Sequence, residues 1–564
     1  MRLFKLKHIF SPEVLLWLMP ATLVIPNVIL DITDYSNWLV KIANVITPFS
    51  IYLWLISLSP KVGRTVFFML PLLFYAGFQI VLLYLYGESI IAVDMFLNLV
   101  TTNVGEATEL LGNMLVALAT VFVLYVIPLI WGIVSAIMQQ QASANSISLA
   151  RHITRVLLII STGLIIAAYI FIPRFNISRL IFPINVMNNT ITAISRTIDA
   201  SSYYTTSADF NYEAVCERTD SIREVYVLVI GETSRADNWQ LGGYERATNP
   251  LLSRRSDIVF FDKALSQSNT THKSVPLLLS PLTTNNFGDS IYEVKSIISA
   301  YNQVGYSTAF YSNQARNRSL IDFFASEAQT VRFLRDDGQV HYDHELIKMM
   351  SDYISNATTN KVFIVLHTYG SHFKYFDRYP SDYQTFTPDN SNEAIKSNRE
   401  QLINAYDNTI VYTDALLDNI ANMLDGLDCR SAMLYLSDHG EDIYDDARNR
   451  FLHSSPIPTY HQIHVPLVLW FSHEYIKAYP EALSTARAHQ HNNIASNNIV
   501  FHTMLDIAGI RTKYCDLSRS IISSCYEDRP RTYLNDYNES VPLDFSGLRN
   551  YDFDMLRNKN ILSE

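Results

Sequence analysis

Val225–Arg235 reads VYVLVIGETSR. Six consecutive apolar residues, Val225 to Ile230, stop at Gly231, and the carboxylate of Glu232 follows at once. An unbroken apolar run bounded by a glycine is how a parallel strand reads when both of its faces are covered. The residue just past such a strand stands at the carboxyl edge of its sheet, where open α/β sheets bind their ligands. Taken alone, the stretch leaves Glu232 two readings: a ligand at that edge, or the first residue of a surface loop.

Working outward, three more apolar runs sit beside polar residues of the metal-binding type. Lys361–Leu366 (KVFIVL) leads into His367, Gly370, Ser371 and His372. Ala432–Leu436 (AMLYL) leads into Ser437, Asp438, His439, Gly440 and Glu441. Val465–Phe471 (VPLVLWF) follows His464. Short apolar strands alternating with helical stretches from about residue 221 onward are the pattern of a βαβ domain. Parallel strands present their carboxyl ends on one side, so these polar residues converge on one crevice.

Glu232, Asp438 and His439 offer two carboxylates and an imidazole, a suitable set for Zn²⁺ or Mn²⁺. Asp438 and His439 are adjacent, so they share an ion only if the backbone turns there, which Gly440 permits. Three protein ligands leave a fourth position for water or a hydroxyl. The hydroxyl-rich segment SNTTHKSVP (Ser268–Pro276) supplies candidates, with Val275–Pro276 as a helix entry. A threonine beside a metal and a helix N-terminus would have its hydroxyl pKa lowered and could act as a nucleophile. Spacing alone equally allows Thr270 and Thr271 to be helix caps.

The chain has 564 residues, with 49% hydrophobic and only 17% charged, which points to more than one domain and to a membrane part. A net charge of −11 argues against a nucleic-acid partner. Four cysteines (Cys216, Cys429, Cys515 and Cys525) lack CxxC spacing, so a cysteine zinc site is not expected. In an oxidising compartment Cys515 and Cys525 would be the nearest pair, with free thiols as the alternative.

Five apolar segments precede the βαβ region: Val14–Leu30, Trp38–Leu58, Val66–Tyr86, Met114–Ile137 and Val156–Ile172. Each approaches the roughly 20 residues needed to cross a bilayer. The basic start (Arg2, Lys5, Lys7) runs into the first segment without a convincing cleavage site, so it is expected to stay as a span. Arg2, Lys5, Lys7, Lys61, Arg64, Arg151 and Arg155 mark one side of the membrane; Asp31, Asp34, Glu88, Asp94, Glu106 and Glu109 mark the other. The positive-inside rule then puts the N-terminus in the cytoplasm and everything after Pro173 outside, in the periplasm of a two-membrane cell.

Between the third and fourth segments, Ile90–Leu111 has apolar residues at helical spacing. It predicts an amphipathic surface helix over about 88–113, with Asn98, Thr102 and Glu106 on one face. The expected organisation is a membrane domain over 1–173, a linker with short helices over 174–220, and a soluble domain over 221–564.

Together Gly-Glu-Thr-x-Arg, Thr-x-x-Ser-Val-Pro and Ser-Asp-His-Gly-Glu, behind five apolar segments, resemble the phosphoethanolamine transferases, which include the lipid A and colistin-resistance enzymes. These belong to the alkaline phosphatase and sulfatase superfamily. The resemblance implies a five-helix transmembrane bundle joined to a periplasmic α/β domain of alkaline phosphatase/sulfatase type with a mostly parallel central sheet.

The resemblance further implies that Thr271 is the nucleophile and that Glu232, Thr271, Asp438 and His439 bind a catalytic zinc, with room for a second, transient ion. It assigns His372 and His453 to the same pocket as headgroup or second-zinc contacts, either of them a general acid or base. It assigns Asn98 and Glu106 to the lipid donor, with Thr102 between them on the same helix face, and Gln314 and Arg318 to the headgroup. It implies phosphatidylethanolamine as donor, release of diacylglycerol, and a covalent phosphoethanolamine-threonine intermediate. It implies an envelope acceptor of the lipid A, lipopolysaccharide core or glucan kind, without choosing among them, and a monomer is expected.

The sequence departs from the family in two places. Gln267 and Leu277 stand where members often carry cysteines flanking the nucleophile loop, and Phe373–Lys374 replaces a Gly-Pro after the loop histidine. Three rivals are a glycerophosphate transferase of the lipoteichoic acid synthase type, a plain sulfatase and a non-catalytic membrane scaffold. The Gly-Glu-Thr and Asn/Glu features disfavour the first. The second lacks its Cys/Ser-x-Pro-x-Arg segment around Thr271. Retention of Glu232, Thr271, Asp438 and His439 together disfavours the third.

Overall fold

The computed structural model describes residues 11–33, 37–87, 90–101, 114–173, 175–218, 220–390 and 394–562, without the side chains of 98–101 and 495–498. The chain forms two compact units. One holds Met1–Leu97, Val104–Ser195 and Arg448–Arg450, and the other holds Asn98–Asn103, Arg196–Ala447 and Phe451–Glu564.

The first unit is helical: α1 Pro12–Leu23, α2 Ile25–Thr33, α3 Trp38–Ile56, α4 Val62–Phe68, α5 Leu70–Tyr86, α6 Val93–Thr101, α7 Leu115–Ile137 and α8 Ala144–Phe171. Among the described residues, four stretches are long and apolar enough to cross a membrane: Pro12–Thr33, Trp38–Ile56, Leu115–Ile137 and Ala144–Phe171. The third expected span is broken rather than continuous. It starts at Val62, and α4 and α5 meet at a 61° bend; counting the pair as one span gives five. Pro71, in the first turn of α5, explains the break. Proline starts a helix well, but further in it removes a hydrogen bond and crowds the preceding turn, which favours a bend.

Small residues let these helices approach closely, as membrane helices do. A Cβ at Gly63 of α4 would run into the Gly132 carbonyl of α7 and stand 2.7 Å from the Ala136 nitrogen. Leu15, Leu16, Met19, Leu53, Ile56, Val66 and Ile80 form the inner core. Leu115, Val123, Ile159 and Phe171 stay exposed, as lipid-facing side chains would. The expected surface helix is described only as α6. Asn98 lies in α6 but its side chain is not described, and Thr102 and Glu106 fall outside the described residues.

The second unit is built on a seven-stranded sheet: β1 Glu224–Gly231, β2 Ile258–Phe261, β3 Ser307–Ser312, β4 Thr330–Phe333, β5 Lys361–His367, β6 Arg430–Ser437 and β7 Leu467–Phe471. The order across the sheet is β2-β7-β6-β1-β5-β3-β4. β1 pairs in parallel with β5 and β6, and β3 with β5 and β4; β7 runs antiparallel to both of its neighbours. The expected strand at Val465 begins two residues later, and its antiparallel sense brings its start, rather than its end, to the carboxyl edge of β6.

The unbroken apolar run of β1 has a direct cause in packing. Tyr226, Leu228 and Ile230 face one core, and Val225, Val227 and Val229 face another. Both faces are covered, so the strand stays apolar from Val225 to Ile230, and the buried Glu224 at its start is paired with Arg218. Register then does the positioning: Ile230 is opposite His367, and Gly231 is opposite Ser437. The residues that follow each of these three strands therefore meet at one edge.

The four cysteines are free thiols, so the Cys515–Cys525 pair does not form. A buried histidine makes this unit sensitive to acid. His502, on a helix over Ser496–Ile507, is 4% exposed, and its Nδ1 accepts the Asp516 N–H at 3.2 Å. Burial, reinforced by Arg519, pushes its pKa down to about 3. The unfolded chain therefore binds more protons between that value and roughly 6.5, so this contribution is complete above pH 6.5 and shrinks as pH falls. By pH 5 the loss is about 2 kcal/mol. Thermal unfolding of wild type and His502→Gln at pH 7 and pH 5 is expected to show a smaller acid shift in the variant.

Candidate active site and metal centre

Glu232 leaves β1 into a tight turn. Thr233 takes a left-handed backbone (φ +60°), a conformation a β-branched residue adopts only when its surroundings hold it. Here they do. The Thr233 N–H donates to Asp438 Oδ1 at 3.2 Å, its hydroxyl donates to Glu232 Oε1 at 2.7 Å, and its carbonyl accepts the Tyr406 hydroxyl at 2.8 Å. Two backbone bonds lock the neighbouring strand ends: Asp438 N to Gly231 O at 3.0 Å, and Ser371 N to Glu232 O at 2.9 Å.

His439 is turned by the glycine that follows it. Its Nδ1–H donates to the Gly440 carbonyl at 2.9 Å, which leaves the Nε2 lone pair for the site. Gly440 cannot carry a side chain, because a Cβ would collide with the His461 carbonyl and lie 2.9 Å from Arg235 Cβ.

Thr271 opens the helix α9 Thr271–Leu279, which starts five residues before the expected entry at Pro276. Thr270 is the N-cap and makes no side-chain capping bond. The Thr271 hydroxyl lies 3.3 Å from each Glu232 oxygen and 3.1 Å from His439 Nε2. It also acts on Asp438, where it opposes the rise in pKa that burial causes. His439 Nε2 is 3.5 Å from Glu232 Oε1 and 3.3 Å from Asp438 Oδ2. The structure thus brings Glu232, Thr271, Asp438 and His439 together.

Burial raises the pKa of Glu232, and the Asp438 charge adds to the rise; burial likewise raises Asp438. Among the described residues no lysine or arginine forms an ion pair with either carboxylate. Asp438 Oδ2 is buried without a hydrogen-bond partner. Two buried acids, an imidazole with its lone pair inward and a hydroxyl lack only a cation. Two carboxylate oxygens and a nitrogen form a donor set that zinc takes, with the hydroxyl at an open fourth position. The residues fit the metal that the sequence resemblance implied.

His453 borders this cluster. One donor atom each of Glu232, His439 and His453 lie within 4.8 Å of one another. The His453 ring centre is 4.3 Å from that of His439, and its Nδ1 is 3.3 Å from Glu441 Oε2. Burial holds its pKa well below the usual value, helped by His439 and His372. Leu452 and Ser454, on either side, both have left-handed backbones (φ +70° and +61°). Such strain costs of order 1–3 kcal/mol per residue and concentrates at functional sites. The His372 ring stands 5.7 Å from His453. Arg378 fixes this loop by donating to the His372 and Phe373 carbonyls at 2.9 and 2.7 Å.

Gln314 reaches the cluster directly, with Nε2 3.0 Å from Glu232 Oε2 and 3.2 Å from His367 Nε2. Arg318 does not. It is exposed, and its backbone N–H bonds Asp322. Thr233, Tyr406, Asp343 and His367 were assigned no role from sequence. Asp343 accepts the Tyr369 and Gly370 N–H groups at 2.8 and 3.0 Å, which sets the loop before His372. Thr233 carried a signal in the Gly-Glu-Thr motif, and His367 as the first polar residue after the Lys361–Leu366 run.

The segment bearing Thr271 lacks flanking cysteines but is braced by hydrogen bonds. The Ser266 and Ser274 hydroxyls both donate to the Asp438 carbonyl, at 2.5 and 2.6 Å. The Leu534 N–H donates to Gln267 O at 2.8 Å, and the Tyr533 hydroxyl to Asn269 Oδ1 at 2.8 Å.

Residues 224–510, just over half the chain, match the family model described as Sulfatase. This chain belongs to the sulfatase family. It is 32% identical over 313 residues to phosphoethanolamine transferase EptA of Escherichia coli (strain K12), covering 54% of this chain and 56% of that protein. The chain thus spans about half the length of the curated relatives it matches. The integral membrane lipooligosaccharide phosphoethanolamine transferase A (EptA) of Neisseria meningitidis superposes with TM-score 0.68 at 21% identity, over 92% of this chain and 97% of that one. The C-terminal periplasmic domain of EcEptC from Escherichia coli, solved in complex with Zn, superposes with TM-score 0.54 at 24% identity, over 61% of this chain and 98% of that one. These two likenesses establish a shared fold: apolar N-terminal helices followed by a sulfatase-type domain with a mostly parallel sheet.

Gly370 gives this sulfatase-type site a sharp test. It has φ +54°, and a Cβ there would lie 2.6 Å from the Glu232 carbonyl oxygen and 2.9 Å from its nitrogen. Gly370→Ala is expected to destabilise the protein by about 1–3 kcal/mol and to displace Glu232. Denaturant unfolding and zinc content after dialysis would measure both losses.

Proposed function

We propose that this protein is an integral inner-membrane phosphoethanolamine transferase that uses phosphatidylethanolamine as donor and passes the group through Thr271 to an envelope glycolipid. The observation that carries the reading is the convergence of the Thr271 hydroxyl with Glu232, Asp438 and His439 at one sheet edge. The names of the relatives, and the apolar helices before the catalytic fold, support it. On this reading, 1–173 is the membrane domain, 174–220 the linker and 221–564 the periplasmic catalytic domain. The N-terminus is cytoplasmic, and the charge pattern of the loops supports that side.

Glu232, Asp438 and His439 would hold one zinc ion, with Thr271 at the open position; a zinc ion there supplies Lewis acidity and a counter-charge for phosphoryl oxygens. The remaining chemistry belongs to the side chains. The Thr271 Oγ bonds to phosphorus as the bond from phosphorus to the diacylglycerol oxygen breaks, and the threonine gives up its hydroxyl proton. His453, kept neutral by burial and fixed at Nδ1 by Glu441, serves as the proton acceptor or donor, with His372 beside it. A hydroxyl or phosphate of the acceptor then attacks the same phosphorus and frees Thr271. Lipid A or the lipopolysaccharide core is the acceptor on this reading. Asn98, Thr102, Glu106 and Arg318 are assigned to substrate.

Thr271→Ala is expected to lower transfer more than about 1,000-fold and to abolish the covalent adduct, whereas Thr271→Ser keeps both in part. Intact-mass analysis after incubation with donor lipid checks this, and an adduct on Thr271→Ala would overturn the assignment. Feeding lipids labelled in ethanolamine or glycerol headgroups separates this activity from glycerophosphate transfer. Glu232→Gln and Asp438→Asn should each lose bound zinc in elemental analysis, and wild-type content without them would remove the metal assignment.

A further inference from the structure

Gln314 was assigned to the substrate headgroup, yet its side chain is already engaged. Its Nε2 lies 3.0 Å from Glu232 Oε2, 3.2 Å from His367 Nε2 and 3.3 Å from the Thr368 carbonyl. The chemistry of these neighbours fixes the amide. Turned the other way, Gln314 would aim its own carbonyl oxygen at a carboxylate and at a backbone oxygen, two acceptors that offer it no proton. The NH₂ group therefore faces Glu232.

That orientation selects the histidine tautomer. To accept from Gln314, His367 Nε2 must carry no proton, so the proton sits on Nδ1, which faces Ser312 Oγ at 3.2 Å. The same hydroxyl oxygen accepts the Gln314 backbone N–H at 3.1 Å and closes the loop of bonds. His367 is 1% exposed, ends β5, and stays uncharged because burial depresses its pKa to about 4.

We propose that Ser312, His367 and Gln314 form a neutral relay that positions the Glu232 carboxylate for its cation, with Gln314 the link that touches it. A neutral donor suits the task. A lysine or arginine at this place would neutralise Glu232 and repel a divalent ion, whereas an amide orients one oxygen and leaves the charge in place. Thr233 holds Oε1 from the other side at 2.7 Å, so the two oxygens are each held by a neutral donor. Such outer partners of a ligating carboxylate commonly alter metal affinity about 10- to 100-fold when removed.

The relay rests on the reading of Glu232 as a zinc ligand, and one experiment separates the two. Zinc affinity of the purified full chain in detergent is measured by competition with a chromogenic chelator, for wild type, Gln314→Leu, His367→Leu and the double variant. Thermal unfolding of each metal-free protein is measured alongside. The expected result is a loss of about 10- to 100-fold for Gln314→Leu. A smaller loss is expected for His367→Leu, none beyond Gln314→Leu in the double variant, and little change in metal-free unfolding for Gln314→Leu. Should His367→Leu not fold, Ser312→Ala removes only the partner of Nδ1 and takes its place in the cycle. Wild-type affinity in Gln314→Leu, or losses that simply add, would overturn the relay. A wild-type protein that binds no zinc would instead overturn the ligand assignment itself.

Discussion

Two buried carboxylates gathered around one hydroxyl and one imidazole, with no lysine or arginine paired to either among the described residues, are the constraint around which the second unit is arranged. Like charges a few ångströms apart repel by about 4 kcal/mol even in a fairly polarisable protein interior. Burial adds to that cost, as the raised pKa values of both acids record. The surrounding donors are neutral: the Thr233 hydroxyl and Gln314 amide on Glu232, and the Thr233 and His439 N–H groups on Asp438. They orient the acids without discharging them. What remains is a cluster of acids and an imidazole whose donor set suits a divalent cation.

The strained and glycine positions follow from the same demand. For Glu232 and Asp438 to meet, β1 and β6 must end level, and the chain must turn at once after each. Thr233 turns by adopting a left-handed backbone, held by Tyr406 and Asp438. Gly370 and Gly440 turn because the Glu232 backbone and the His461 carbonyl leave no room for a Cβ. Arg235 then ties the turn to the loop after His439, through Asp445 at 2.8 Å and the Glu441 carbonyl.

The parts of the site that could be read in the sequence were those carried by a single strand and the few residues after it. The β1 run announced burial on both faces, and its Gly-Glu ending announced a sheet edge. Ser437–Glu441 did the same for β6. Where the signal is symmetric, reading failed. The run at Val465 looks the same in either direction, so its antiparallel pairing was invisible. Pro276 drew attention as a helix start, although helix α9 already begins at Thr271 and tolerates the proline within. Pro71 lay inside a strongly apolar run, and hydropathy hid the bend that it causes. Tyr406 is 171 residues from Arg235, and Asp343 is 27 from Gly370; no local pattern marks either. Motif alignment gave Gln314 the right neighbourhood but could not say whether its amide faces substrate or Glu232.

The missing cysteines around Thr271 show how one rigidity can be reached by two chemistries. A disulfide stabilises mainly by restricting the unfolded chain, by about 2–4 kcal/mol, and is indifferent to what the loop does. Here two hydroxyls on either side of Thr271, from Ser266 and Ser274, converge on the carbonyl of Asp438 itself. Each such bond is worth only about 1 kcal/mol net, and the Leu534–Gln267 and Tyr533–Asn269 bonds bring the sum to a comparable size. The difference lies in what is connected. These bonds join the segment bearing the hydroxyl to the segment bearing the acid, so a shift of either moves both together. The loop is thereby held relative to the acid that it faces, which a bridge between its own two ends would not achieve.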